Sequence, residues 1–320
     1  MPSRPLIRLS DVARLVQQAG GWMAAGVTPT RSDAEAIQSI EKIWATTKRG
    51  EREALVSRIV AATPAWSNRE QVDRLTVEWY ARRAELNWGR LRASHRTDWA
   101  AEVELDGAER LRRARDQGRG AVLWFLSTCS SFVLMRGLAS SGESLTHLSL
   151  ATHGSPGGTR FGELTVARFH RMAEDRYLER RIVIDDVRAP GYVREVRNCL
   201  AENGLLTVRG DLAIKGAGVR VPLLGGAARF PAGAPTFAFH SGAALLPCWA
   251  ERVAPFRYRV VVEEPLESPG GASRREFAVA AMERFSALLE RRLGESPADW
   301  EGWWWADRLL GGKDFLQVRR

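Results

Sequence analysis

Lysine is scarce in this chain of 320 residues, although the formal net charge is +9 at pH 7. Nearly all of the 47 basic residues are arginines, because the only lysines are Lys42, Lys48, Lys215 and Lys313. The planar guanidinium group binds carboxylates and phosphates through paired hydrogen bonds. The charge therefore predicts an anionic partner: a phosphorylated carrier molecule, an anionic lipid surface or a nucleic acid. A compositional origin in a GC-rich genome explains the same arginine content and stays open.

Cysteine is also scarce, and Cys129, Cys199 and Cys248 lie far apart in the sequence. Their odd number and the lack of a C-x-x-C pair exclude a disulfide framework and a zinc site built from paired cysteines. The five histidines show no metal-ligand spacing, and no G-x-G-x-x-G sequence follows a predicted strand. The sequence predicts a protein of a reducing compartment that uses neither a metal nor a bound cofactor.

Long hydrophobic runs are missing as well. No stretch approaches the roughly 18 apolar residues that a membrane-spanning helix needs, and no signal-peptide segment follows the start. We therefore expect a cytoplasmic protein. Peripheral contact with the inner membrane stays open, since the excess of arginine favours anionic surfaces.

Residues 1–100 are predicted to form a helical N-terminal region. Apolar residues recur there at helical spacing, which predicts helices over 9–25, 33–48, 53–61 and 67–91. Ser67 and Glu70 have the spacing of a capping box at the start of the last of these helices.

Residues 101–320 have a different pattern, in which short apolar runs alternate with helical stretches. The predicted strands are 101–105, 121–126, 145–150, 181–185, 204–209, 244–249 and 257–263. The predicted helices are 107–117, 130–140, 160–176, 190–202, 232–241 and 274–293. This alternation is typical of an α/β fold with a mostly parallel central sheet flanked by helices. The last strand is predicted to be an antiparallel edge strand, and both regions are expected to form one compact domain.

Three stretches resemble one family in the same order along the chain. They are GAERLRRARDQGRGAVLWFL, GLLTVRGDLAIKGAGVRVPLLGGAARFPAGAPTFAFHSGAALLPCWAERV and SPADWEGWWWADRLL. Together they resemble the glycerolipid-type (lysophospholipid) acyltransferase superfamily, and within it the late lipid A and phosphatidylinositol mannoside acyltransferases. The resemblance covers roughly residues 50–310. It implies an α/β fold and transfer of an acyl group from coenzyme A or an acyl carrier protein.

The family's catalytic motif, H-x-x-x-x-D/E after the first long strand, is absent. The resemblance places the histidine base at Thr128 and the orienting carboxylate at Val133. Threonine has no basic site near neutral pH, and valine cannot orient a base. Three explanations stay open: an inactive relative, a different base, or a reaction that needs no strong base. An amine or hydroxylamine attacks a thioester readily, so positioning and oxyanion stabilisation can carry much of that rate.

Candidate site residues follow the strand 121–126 in the run S-T-C-S-S. Thr128 stands at the position of the base, and Cys129 is either a nucleophile with a lowered thiol pKa or a small buried residue. The hydroxyls of Ser127, Ser130 and Ser131 either bind a carbonyl or phosphate group, or cap the next helix.

Two candidates follow the strand 145–150. His153 is either a relocated base or a solvated loop residue. Arg160 lies near the start of the next predicted helix, where it could pair with a phosphate group.

Three more candidates lie at or after the end of the strand 204–209. Asp211 orients a base, recruits a protonated amine acceptor, or forms a structural salt bridge with Arg209. Lys215 lies in the glycine-containing loop that comes next. Arg209 and Lys215 are predicted to bind substrate, and Asp211 is predicted to be catalytic.

Three functional hypotheses result. The first is an acyltransferase of specialised metabolism that moves an acyl group from an activated carrier to an amine, hydroxylamine or hydroxyl acceptor. The second uses aminoacyl-tRNA as the activated ester, which the positive charge would hold electrostatically. The third is an inactive relative that binds an acyl chain or a partner.

Overall fold

Four helices open the chain. The structure is a computed structural model that describes residues 6–63, 66, 68–95, 99–153, 159–184, 191–213, 218–267 and 271–310. The opening helices are α1 (Leu9–Val27), α2 (Asp33–Thr47), α3 (Arg49–Ala62) and α4 (Arg69–Ser94). None of the helices in these ranges combines the length and the apolar character that crossing a lipid bilayer requires.

Strands and helices alternate beyond residue 100. In chain order they are β1 (Glu102–Asp106), α5 (Ala108–Asp116), β2 (Ala121–Phe125), α6 (Ser131–Ala139), β3 (Leu145–Leu150), α7 (Arg160–Leu164), α8 (Val166–Asp175), β4 (Arg180–Ile184), α9 (Gly191–Ala201), β5 (Leu205–Arg209), β6 (Gly218–Leu223), β7 (Gly226–Pro231), α10 (Gly233–Ser241), β8 (Ala244–Ala254), β9 (Arg257–Val262), α11 (Arg274–Glu295) and α12 (Ala306–Leu310).

Seven strands form the central sheet, in the order β1-β9-β8-β2-β5-β3-β4. Every neighbouring pair is parallel except β8 and β9, which are antiparallel. The predicted α/β fold, with a mostly parallel sheet and a helical N-terminal region, is therefore confirmed.

Strand β2 lies at the centre of this sheet, between β8 and β5. All five of its residues are buried, as expected for a strand that is covered on both faces. Trp124 stacks on Phe285 of α11, with ring centroids 3.9 Å apart, while Phe125 packs in the hydrophobic cluster of the other face. Because β2, β3 and β5 are parallel, their carboxyl ends open onto the same edge of the sheet.

The edge of the sheet differs from the prediction. Strand β9 is antiparallel to β8, as expected, but it is not an edge strand, because β1 pairs with its other side in parallel. Tyr258, Val260 and Val262 of β9 are buried, and the extra strand satisfies their backbone groups.

A hairpin occupies a segment that the sequence analysis leaves without strands. Strands β6 and β7 pair in an antiparallel two-stranded sheet. Their two-residue turn, Leu224 and Gly225, has positive φ at both positions, as in the primed turns that suit hairpins. Pro222 and the neighbouring glycines hide the alternation that would have predicted these strands.

Two helix boundaries also differ from the prediction. The predicted helix 160–176 is divided at Thr165, whose hydroxyl donates a hydrogen bond to the carbonyl oxygen of Phe161 at 2.7 Å. Helix α4 is capped by Asn68, whose side-chain oxygen accepts from the backbone N–H groups of Glu70 and Gln71. The predicted cap, Ser67, lies outside the described residues.

Candidate active site

A cavity of about 670 Å³ lies between the N-terminal helices and the ends of β3 and β5. Helix α4 lines it with one face, formed by Trp79, Tyr80, Arg83, Leu86, Asn87 and Arg90. These positions recur every three or four residues, which is the spacing of a single helix face. The carboxyl edge of the sheet, where the sequence analysis expects the site, thus carries a cavity walled by α4.

The cavity holds a histidine paired with a carboxylate. His153 lies in the turn after β3, where its backbone N–H donates to the carbonyl oxygen of Leu150 at 2.9 Å. Its Nε2 lies 2.9 and 3.0 Å from the two carboxylate oxygens of Glu174, near the end of α8. His153 and Glu174 both line the cavity, so the pair can reach a ligand there.

The carboxylate of Glu174 is held by several groups. It accepts hydrogen bonds from the hydroxyl of Ser131 and, at 2.8 Å, from Arg181. Burial acts to raise the pKa of Glu174, but the contacts of the carboxylate with His153 and Arg181 oppose that effect, and the pKa lies well below its usual range. Glu174 is therefore ionised at neutral pH.

An ionised Glu174 determines which nitrogen of His153 can act. A carboxylate only accepts hydrogen bonds, so Nε2 carries a proton and donates it. Nδ1 then keeps the lone pair, and a neutral His153 can accept a proton through it. A carboxylate that orients a histidine and stabilises its positive charge is the arrangement of a general base.

The turn that follows β2 is covered by the C-terminal segment. Thr128 pairs with Trp300 in a β-bridge, and its hydroxyl donates to the carbonyl oxygen of Ala250 at 2.6 Å. The backbone N–H of Cys129 donates to the backbone carbonyl oxygen of Asp299 at 2.7 Å. The backbone N–H of Glu301 donates to the backbone carbonyl oxygen of Ser127, also at 2.7 Å. Neither Thr128 nor Cys129 lines the cavity. Their catalytic role stays a prediction.

Cys129 has the environment of a structural cysteine. It is fully buried, and burial raises the pKa of its thiol well above the ordinary value, with the charge of Asp299 adding to the effect. The nucleophile hypothesis requires the opposite shift. Its backbone is left-handed, with φ of +53°, which points to a tight turn at this residue.

Asp211 ties the end of β2 to the C-terminal segment. Its carboxylate accepts from the backbone N–H of Ser127 at 3.0 Å, from the Ser127 hydroxyl at 2.5 Å and from the indole N–H of Trp300 at 2.6 Å. Burial raises the pKa of Asp211, while these hydrogen bonds oppose the rise. Asp211 does not line the cavity, and Arg209 instead lies 3.6 Å from Glu301. The predicted catalytic role of Asp211 is not tested by these contacts.

Four of the predicted site residues meet in the cavity wall: Ser130, Ser131, His153 and Arg209. Ser130 precedes α6, but its side chain makes no capping hydrogen bond. Arg160 is exposed at the start of α7 and does not line the cavity. The remaining candidate, Lys215, lies outside the described residues.

A second cavity, of about 1220 Å³, lies beneath α9 and α10. Its walls are mostly apolar and include Trp124, Leu148, Val196 and Phe237. Arg209 lines both this cavity and the one that contains His153. A ligand with a hydrocarbon part and a polar part could therefore place its polar part near Arg209.

Sequence reasoning missed Glu174. No spacing links it to His153, because the two residues are 21 positions apart and meet only through the tertiary fold. One signal was present: Val166, His170 and Glu174 recur every four residues on one face of α8, and all three line the cavity. A carboxylate on a helix face that turns inward is expected to be partnered.

A scan of the sequence against models of protein families finds no match, and a search of curated proteins finds no similar chain.

Proposed function

We propose that the chain transfers an acyl group from an activated carrier to an amine, hydroxylamine or hydroxyl acceptor, with His153 as the general base. The observation that carries the proposal is the contact between His153 and the ionised Glu174 in the wall of a cavity. In this scheme the base of the resembled family is replaced by a histidine from the next strand end.

The proposed reaction has two steps. Nδ1 of His153 takes the acceptor's proton while the acceptor forms a bond to the carbonyl carbon of a thioester. The carbon–sulfur bond then breaks, and the departing thiolate takes the proton back from His153. Glu174 stabilises the imidazolium that exists between the two steps.

We assign stabilisation of the intermediate's oxyanion to Arg209, which lines the same cavity as His153. Arg209 is the last residue of β5. Its guanidinium group lies 5.5 Å from the centre of the Phe125 ring. A fixed guanidinium in a partly dry site stabilises a developing negative charge at little reorganisation cost.

The second cavity supports an acyl donor with a hydrocarbon chain. The apolar walls of this cavity suit such a chain. Arg209 lines both this cavity and the cavity that contains His153. With the acyl chain in the second cavity and the carrier in the first, the thioester carbonyl group would lie near Arg209.

Aminoacyl-tRNA is the second candidate donor. Among the described residues, seven cations line the cavity with His153, against three carboxylates. The cations are Arg14, Lys48, Arg58, Arg83, Arg90, Arg209 and Arg308, and the carboxylates are Glu51, Glu174 and Glu301. Trp44, Tyr80 and Trp304 add aromatic surface on which a base can stack. A gel shift with tRNA at low salt tests this candidate, and no shift would remove it.

Turnover measurements test the leading proposal. The protein is incubated with coenzyme A thioesters, acyl carrier protein thioesters and aminoacyl-tRNA, each with an amine, a hydroxylamine and an alcohol. We expect His153→Gln to lower kcat by about 100-fold or more, since a positioned base contributes about 10²–10⁴-fold. Glu174→Gln should lower kcat as well.

Asp175→Asn is the matched control. It removes the neighbouring carboxylate, which is half exposed and pairs with Arg181 but not with His153. Its activity should stay near wild type. Full activity in His153→Gln would contradict the base assignment, and no turnover with any donor would leave the binding-only relative as the better explanation.

A further inference from the structure

Arg90 is a buried cation without a carboxylate partner in the described part of the chain. Only 7% of its surface is exposed. Its guanidinium contacts the neutral side-chain oxygens of Gln18, at 3.2 Å, and Asn87. No residue in the described ranges hydrogen-bonds its Nη1, and no carboxylate there forms a salt bridge with Arg90.

Burying an unpaired charge is costly. A buried guanidinium normally has a carboxylate beside it, because the interior of a protein solvates charge poorly. Burial accordingly lowers the pKa of Arg90 to about 10, against a partly opposing effect of Glu301 and Glu174. An anionic group of a ligand that enters the cavity would supply the partner that the guanidinium group of Arg90 needs.

The groups beside Arg90 in the cavity wall are hydrogen-bond donors. Helix α1 contributes Arg14, Gln17 and Gln18 to the wall, and α4 contributes Asn87 one turn before Arg90. None of the residues with which α1 and α4 line the cavity is acidic. Arg14 also has no carboxylate partner within the described part of the chain.

We propose that Arg90 and Arg14 form a phosphate-binding subsite, which holds a phosphate ester of the ligand that enters the His153 cavity. Guanidinium groups donate paired, charge-assisted hydrogen bonds to the non-bridging oxygens of a phosphate group, whether that group is a monoester or a diester. The amide groups of Gln17, Gln18 and Asn87 supply additional donors to the phosphate oxygens.

The subsite restricts the donor. This step rests on the proposed function, in which the cavity receives an activated carrier. A carrier with a phosphate ester would place it between α1 and α4, and its reactive end would extend toward His153. Three sources share this chemistry: a phosphopantetheine arm, coenzyme A and a nucleotide at the end of an RNA.

Calorimetric titration of the full chain tests the subsite without requiring turnover. Inorganic pyrophosphate is the first probe, and succinate is the matched carboxylate probe. 4′-Phosphopantetheine, coenzyme A and adenosine 5′-monophosphate then distinguish the three sources by their relative affinities. We expect pyrophosphate to bind at least about 10-fold more tightly than succinate, because pyrophosphate presents more negative charge and more acceptor oxygens to the two arginines and the neighbouring amide groups.

Two variants locate the binding. Arg90→Gln should weaken pyrophosphate binding about 10-fold or more, which corresponds to a loss of about 1.4 kcal/mol. Arg14→Gln, at a half-buried position, should weaken it about 5-fold. Arg112→Gln removes an exposed charge from α5, outside the cavity wall, and should bind like wild type. Circular dichroism reports whether each variant is folded, and Arg14→Gln decides the question if Arg90→Gln is not.

Three results would overturn the inference: no binding of any phosphate probe to the wild-type protein, unchanged binding in both variants, or equal affinity for succinate. These results are separable from a failure of the proposed function. Phosphate binding that depends on Arg90 supports the subsite even if no acyl transfer is found, and acyl transfer without such binding refutes the subsite alone.

Discussion

His153 gains its proposed role from residues that are distant in the sequence. The strand end and the turn after β3 are local features, so the sequence could place His153 at the carboxyl edge of the sheet. Its partner Glu174 comes from α8, and the carboxylate in turn depends on Ser131 and Arg181. Contacts of this kind form only when separate elements pack, and no pattern within a single element encodes them.

His147 leads to a prediction about acid stability. It lies on β3 with 2% of its surface exposed, and its Nδ1 is 2.9 Å from the hydroxyl of Thr207. Burial lowers the pKa of His147 well below the ordinary value. The folded protein thus keeps His147 neutral, while the unfolded chain takes up a proton below about pH 6.5. Stability should therefore fall as the pH drops below that value.

Urea denaturation at two pH values measures this effect. Between about pH 7.5 and about pH 5.5, His147 should account for about 1 kcal/mol of the lost free energy of unfolding. His147→Asn should lose correspondingly less stability on acidification than wild type. His240→Gln, which replaces an exposed histidine, should show the wild-type loss. An equal loss in wild type and His147→Asn would show that His147 is not responsible.

At the scale of elements, the C-terminal segment closes the turn that the sequence marked as the active site. The resemblance aligns this turn with the family's base, and sequence reasoning had no means to see that residues 299–301 pair with it. Thr128 pairs with Trp300 in a β-bridge, and Cys129 forms a backbone hydrogen bond with Asp299. Both contacts join residues that are far apart in the sequence. The resemblance places the base after the end of β2, whereas the base that we propose, His153, lies after the end of β3. Both positions are on the same edge of the sheet.

Asp211 links the turn after β2 to the C-terminal segment through its carboxylate. Asp211→Ala removes the acceptor for Ser127 and Trp300 and leaves their buried donors unpaired. The free energy of unfolding should fall by about 3 kcal/mol, since each unpaired buried donor costs about 1–3 kcal/mol. Asp116→Ala, at an exposed position on α5, should change it by less than about 0.5 kcal/mol. Denaturant unfolding checks both values.

A catalytic role of Asp211 would give a different result. If Asp211 acted on the substrate, Asp211→Asn would lose far more activity than its unfolded fraction accounts for. If the residue is structural, activity should fall only in proportion to the unfolded fraction. Parallel measurements of kcat and of unfolding on the same samples separate the two roles.

Helix α9 gives a test of the second cavity. Val193 is half-buried and lines that cavity, whereas Arg194 is exposed on the same helix and does not. Val193→Trp adds bulk to the space proposed for a hydrocarbon chain. It should lower kcat/KM for a dodecanoyl donor about 10-fold while changing that for an acetyl donor little, because one or two lost methylene contacts are each worth about 1 kcal/mol. Arg194→Trp should leave the chain-length preference of wild type.

At the scale of the whole molecule, the sequence predicted the architecture better than the connections between its parts. Short apolar runs predicted all seven strands of the central sheet, because buried strands have a strong local signal. The hairpin β6–β7 and the pairing of β1 outside β9 were missed, since proline and glycine weaken the local pattern and strand order is a property of the assembled sheet. The wall formed by α4 over the sheet, which makes the cavity, has the same non-local origin.

The charge of the cavity yields the last prediction. Its wall carries seven cationic side chains against three carboxylates, so an anionic donor is attracted before it makes specific contacts. Salt screens that attraction, with a Debye length of about 10 Å at 0.1 M and about 3 Å at 1 M. KM for a coenzyme A thioester should therefore rise about 5-fold between about 50 mM and about 500 mM NaCl, with kcat nearly constant. An N-acetylcysteamine thioester carries the same acyl group without phosphate, so its KM should hardly depend on salt. An equal salt dependence for both donors would place the effect on the protein as a whole, rather than on the capture of phosphate groups by the cavity.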